Sequence, residues 1–156
     1  MDVRLTIELV PQTCFWTNVR SAVTAAEWDR IRKQVYQKAL RVCEVCGGVG
    51  STHPVECHEI WHYDDKAHVQ TLTGMIALCP ACHEVKHFGR AESIGKGQKA
   101  LKHLARVNHW TYSQADDYVE AQYRLWEERS KHQWTQDLAH LTQYGIAPDN
   151  LRKVSK

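Results

Sequence analysis

The spacing of hydrophobic and polar positions changes period several times along the chain. In "RLTIELV" (4–10) they alternate, and the branched residues suit a pleated surface, so the pattern predicts a strand ended by Pro11. Residues 13–21 read as a loop or a short extended piece. From Thr24 the period lengthens. Trp28, Ile31, Val35 and Leu40 share one helical face, and Thr24 with Glu27 three positions on forms a capping box, which predicts a helix over 25–40. "VECHEIWHY" (55–63) is a short β-type run closed by an acidic turn at Asp64 and Asp65, and "VQTLTGMIAL" (69–78) carries a second run up to Cys79. Pro80 suits the first position of a helix, here over 80–88, with Gly89 as its stop. Beyond a loop at 90–98, three helices are predicted: 98–108, 113–131 begun by Ser113 with Asp116, and 135–144 ended by Gly145. The tail from 146 to 156 reads as loose.

Composition narrows the class. A chain of 156 residues is long enough for one ordinary core, and its net charge of +2 means that any contact with nucleic acid must use a local patch. Six Trp and six Tyr against two Phe place many amphipathic rings at partly wet surfaces. No apolar run approaches the roughly 18 residues of a membrane span. "MDVRLTIELVPQTC" lacks the charged and then apolar regions of an export signal, so a cytoplasmic protein with reduced thiols is expected. In that compartment paired cysteines read as metal ligands before disulfides.

Cys43-x-x-Cys46 and Cys79-x-x-Cys82 are two such pairs. A two-residue gap lets both thiolates of a knuckle face one ion, and two knuckles complete a tetrahedral four-cysteine shell, the preferred structural Zn²⁺ site. The glycines of "CEVCGG" suit the tight turn of the first knuckle. Cys14 and Cys57 remain as small buried hydrophobes, with metal contact as the alternative for Cys57 beside His58.

That shell leaves His83 and His87 unused. They stand four apart, on one face of the predicted helix, downstream of a run carrying His58, Glu59 and His62. Together, "CEVC…VECHEIW…LCPACHEVKH" over residues 41–90 resembles an HNH endonuclease domain of the cysteine-knuckle type. The resemblance implies a ββα-metal fold, in which two short strands and a helix surround a divalent ion such as Mg²⁺ or Mn²⁺. It implies His83 as a ligand on the helix, His87 as a second, His58 as the strand ligand and Glu59 in the position of the base. In the alternative register His58 is the base and Cys57 the ligand. The family's middle asparagine, which orients the strand histidine, corresponds to Gly74 here; Asn18 is a substitute from outside the motif. The implied chemistry is hydrolysis of phosphodiester bonds in double-stranded DNA, with zinc only holding the knuckles in place.

Lys86, Arg90, Lys96, Lys99 and Lys102 continue from the motif helix through a Gly-Lys-Gly loop, a basic stretch suited to phosphate. The 113–131 segment is acidic, with Tyr118, Tyr123 and Trp126 at intervals, so it suits cover of the core or contact with a protein partner rather than DNA. The expected architecture is α+β: an N-terminal strand and helix (1–40), a zinc-stapled HNH-like core (41–90), a helical extension (91–145) and a tail (146–156). A binding module of the same fold without turnover is the competing reading.

Overall fold

A computed structural model describes residues 3–14 and 18–147. The chain is mixed α+β. Two long antiparallel strands, β1 (Glu56–Asp64) and β2 (Val69–Leu78), pair from Glu56 against Leu78 to Asp64 against Val69, with a register shift between Ile60 and Trp61. Helices cover both faces. On one lie α1 (Val19–Ala22) and α2 (Ala25–Lys38); on the other lie α3 (Pro80–Lys86), α4 (Phe88–Ser93), α5 (Gly97–Asn108) and α6 (Tyr112–Arg129).

Strand alternation divides the core. Leu78 and Ile76 of β2 face the cluster with Val85, Phe88 and Leu104, whereas Ala77 and Met75 face the cluster with Val35 and Val55. The capping box at Thr24 is present, but α2 stops at Lys38, because Leu40 and Arg41 take left-handed φ of 55° and 58°.

Four expectations change. Residues 4–10 are extended but join no sheet. Asn108 captures them instead: its Oδ1 accepts from the N–H groups of Arg4 (2.7 Å) and Leu5 (3.1 Å), and its Nδ2 donates to Leu5 O (2.9 Å). Ile7 N donates to Tyr118 Oη and Glu8 N to Lys86 O. Alternation foretold an extended backbone with Leu5 and Ile7 inward, but not which groups would satisfy it. Second, Gly89 does not end the motif helix. The chain bends at His87 and continues as α4, because Phe88 and Ala91 are drawn into the core. Third, α6 is capped by Thr111 with Gln114, not by Ser113. Fourth, the segment predicted as a helix over 135–144 splits into a short strand, β3 (Thr135–Asp137), parallel to β2, and a 3₁₀ turn at Ala139–Tyr144. Buried Trp134, whose indole N–H donates to Arg129 O, fixes the approach to β3.

Of the predicted loose tail, Ile146 is buried against Leu141; 148–156 lie outside the described residues. No helix among the described residues is long and apolar enough to cross a membrane.

Candidate metal centres

Cys43, Cys46, Cys79 and Cys82 converge, with their sulfurs all within 4.8 Å of one another, so the four can hold a metal such as zinc. Cys46 Sγ lies 3.6 Å from Cys79 Sγ, close to the ~3.8 Å that two sulfurs take on one tetrahedral ion with Zn–S bonds of about 2.3 Å. Local backbone geometry makes this possible. The amides of Cys46, Gly48 and Cys82 point at sulfurs 3.4–3.5 Å away, as in tight knuckle turns. Gly47 takes φ +76°, where a side chain is strained, and a Cβ on Gly50 would stand 2.3 Å from His53 O and 2.7 Å from Pro80 Cδ. The first knuckle therefore packs directly on the start of α3. Glu44 clamps it to β2, donating from its N–H to Ala77 O and accepting at Oε2 from Ala77 N.

The donor set fits zinc chemically. A hydrogen bond with Cys82 pulls the Cys43 thiol down to about 4, whereas Cys82 is pushed up, first by Cys43 and then by burial. A cation relieves that conflict by favouring all four thiolates. His103, on α5, lies 3.1 Å from Cys82 Sγ through Nε2, and Arg106 meets its Nδ1 at 2.7 Å. This link from sulfur to helix was not legible in the sequence.

A second group stands apart from the sulfurs. His58 of β1, His83 of α3 and His87 at the α3–α4 junction bring one ring nitrogen each to within 4.8 Å of the others. His83 Nε2 and His87 Nε2 are 3.1 Å apart, within the roughly 3–3.4 Å spacing of two imidazole nitrogens on one ion with bonds of about 2.0–2.1 Å. His83 turns its other nitrogen, Nδ1, to Glu56 Oε1 at 3.1 Å. That contact places a proton on Nδ1 and a lone pair on Nε2. Burial is the first cause that pulls both His83 and His87 below the ordinary histidine value, His87 to about 4; the neighbouring His58 adds to it. Both rings are then neutral near pH 7, as a metal ligand must be. His58 is buried, whereas His87 packs one side of its ring against His58 and His83 and leaves its outer edge exposed, so the group has one open side.

Glu8 hydrogen-bonds His58 Nε2 from the N-terminal segment. Nothing in the alternation of 4–10 singled it out. Glu56 was more legible, because it lies two positions before His58 and so on the same strand face.

Glu59 corrects the expected base. It lies on the opposite face of β1, across from Met75, and its Oε1 accepts from Val19 N at 3.2 Å. It does not join the histidines. Cys57, on that same face, contacts Met75 Sδ at 3.6 Å and so points away from the histidines of the alternative register. Asn18 caps α1, accepting from Ser21 N, and does not replace the middle asparagine. Burial pushes the Glu59 carboxyl up to about 7. Because its folded value exceeds the unfolded one, its neutral form stabilises the fold fully below the unfolded value near 4.3, and that contribution is lost as pH rises through about 7. The melting temperature should therefore fall between about pH 4 and pH 7, and Glu59→Gln should flatten that slope. Equal slopes in the two proteins would remove Glu59 as its source.

The basic residues are unequal. Lys86 Nζ donates to Thr6 Oγ1 at 2.6 Å and ties down the N-terminal segment, which removes it from the phosphate-binding set. Lys96 and Lys99 lie 3.9 and 3.8 Å from Glu84, whose carboxylate offsets part of the basic stretch. Exposed pairs of this kind hold weakly and release readily. Arg90 and Lys102 are exposed. Three rings of α6 serve as cover while Tyr112 stays exposed: Tyr118 Oη accepts from Ile7 N, Tyr123 Oη donates to Glu92, and Trp126 Nε1 donates to Val10 O.

No family model, curated protein or solved structure matches this chain.

Proposed function

We propose that the protein is a metal-dependent endonuclease of the HNH type, hydrolysing phosphodiester bonds in DNA, with zinc in the four-cysteine centre as a structural element. The observation that carries this reading is the convergence of His58, His83 and His87 beside the cysteines but separate from them. Zinc alone would account for the knuckles and leave no reason for a second group of converging imidazoles. The order β1, β2, α3 around that group is what a ββα-metal motif requires.

His83 and His87 hold the ion, with Glu56 fixing the ring of His83. A divalent ion there supplies charge stabilisation at the scissile phosphate and leaving oxygen. His58 is the group left to accept the proton of the attacking water, and Glu8 holds its ring from behind, the task given to asparagine in the family it resembles. Arg90 and Lys102, with Lys96 and Lys99 once released from Glu84, face the DNA backbone.

A second reading has its own support. Gly74 occupies the expected asparagine position, paired with Ile60, and offers no side chain to the site. A zinc-stapled module that binds DNA without cutting it would look the same there. Supercoiled plasmid separates the two. The wild type should nick it with Mg²⁺ or Mn²⁺ and not with EDTA, and His83→Ala, its zinc retained, should not nick it at all. Retardation of DNA on a gel with no cutting by either protein overturns the nuclease reading.

A further inference from the structure

A cleft of about 330 Å³ opens between the N-terminal segment, β1 and α6. It lies at the lower end of the roughly 300–1,000 Å³ range of clefts that take small organic groups. Glu8 lines it and also bonds His58, so the cleft begins where the histidine centre ends.

Its lining selects the kind of occupant. The half-buried rings of Tyr63 and Trp126 form aromatic walls, while Trp61 borders the cleft from β1 with its own ring packed against the cluster of Val19 and Leu72 beside Glu59. Both walls are fixed in place: Trp126 by its bond to Val10 O, and Tyr63 by Gln70 Nε2 and by the Arg129 guanidinium 4.6 Å over its ring. Arg129 is the one lysine or arginine of the lining, and both arms of its fork are taken by Asp65 at 2.8 and 3.0 Å. With Glu8 also present, the cleft is no phosphate site. The side chains of His62 and Gln122 make no hydrogen bond among the described residues, so they offer donors and acceptors along its edge. Aromatic walls, unengaged polar groups and no available cation suit a flat, uncharged ring with a polar rim.

We propose that this cleft takes an unpaired nucleobase of the substrate strand, adjacent to the phosphate bound at the histidine centre; the assignment rests on the nuclease reading above. A base inside a duplex has both faces stacked and its edge paired, so only a single-stranded or extruded nucleotide can enter. The preferred substrate is therefore DNA with unpaired nucleotides at the cut.

The test compares two strands of equal length. Quenching of tryptophan fluorescence and anisotropy of an end label are followed with zinc-loaded full-length protein and no second metal. The first strand is an oligonucleotide of about eight deoxyadenosines and the second an abasic phosphodiester chain, a length within the range that one single-strand site covers. The wild type should bind the base-bearing strand about tenfold more tightly, as stacking of a base on aromatic side chains provides. Gln122→Trp, or Leu125→Trp at a more exposed lining position, should fill the cleft and erase that difference while leaving binding of the abasic chain unchanged. Equal binding of both strands by the wild type overturns the assignment, and so does a difference that survives in a folded, filled variant. Cutting is scored separately with Mn²⁺. Metal-dependent cutting without base-dependent binding leaves the nuclease and removes the cleft; base-dependent binding without cutting does the reverse.

Discussion

Stripping zinc from Cys43, Cys46, Cys79 and Cys82 is expected to unfold the larger core, not merely loosen a surface loop. Three of these cysteines are themselves buried among Leu5, Leu78, Val85 and Leu104. The knuckles join what the backbone alone leaves separate: the 43–50 loop, the end of β2, the start of α3 and, through His103, α5. Without a cation, four sulfurs this close leave a thiolate at Cys43 beside thiols, in a space that apolar side chains cannot fill. Structural zinc in small domains contributes about 10–16 kcal/mol of apparent binding energy, comparable with or above the whole stability of a typical domain. The far-UV circular dichroism and melting curve should therefore collapse on adding a strong chelator and return with one equivalent of zinc. Cys82→Ser should behave as the chelated protein does, since it removes both a ligand and the contact to His103. An unchanged melt without zinc would show that the knuckles are ornaments of a self-sufficient core.

The same four residues were the most legible feature of the sequence, because a C-x-x-C pair is local and its geometry follows from spacing. His83 and His87 were legible for the same reason: helical period alone puts them together. Period also decided against Glu59. Adjacent residues of a strand point to opposite faces, so His58 and Glu59 could not both face α3, and the fit of Ile60 to a motif position was a weaker guide than the pleat. What the sequence hid were meetings over long separations. Glu8 reaches His58, Asn108 holds the backbone at Leu5, and His103 reaches Cys82. None of these has a spacing rule. The extended character of 4–10 was readable, but its partners were side chains from α5 and α6 rather than a neighbouring strand. β3 was missed because three residues are too few to show a period, and because its pairing to β2 depends on the position of a buried tryptophan.

His58→Ala should lower metal-dependent cleavage by roughly 10²–10⁴-fold, the contribution of a positioned general base, while Mn²⁺ still binds at His83 and His87. The separation of rate from metal affinity is the informative part, because His58 stands near enough to the other two rings to serve as a third ligand. If titration calorimetry shows Mn²⁺ binding lost along with the rate, His58 is a ligand and the base must be sought elsewhere. Glu8→Gln tests the second half of the pair. The carboxylate accepts a hydrogen bond from His58 Nε2–H and so leaves the basic lone pair on Nδ1; an amide can present its N–H there instead and reverse the tautomer. Loss of such an orienting partner typically costs 10–100-fold at a histidine of a metal site. The fold should tolerate the change, because the segment stays anchored by Glu8 N to Lys86 O and by Lys86 Nζ to Thr6. Glu8→Gln should therefore keep its melting temperature and its Mn²⁺ affinity, lose rate, and show that loss as a lower kcat rather than a higher KM. Wild-type kcat in this variant would mean that the N-terminal segment only covers the site, and that burial in β1 is enough to aim His58.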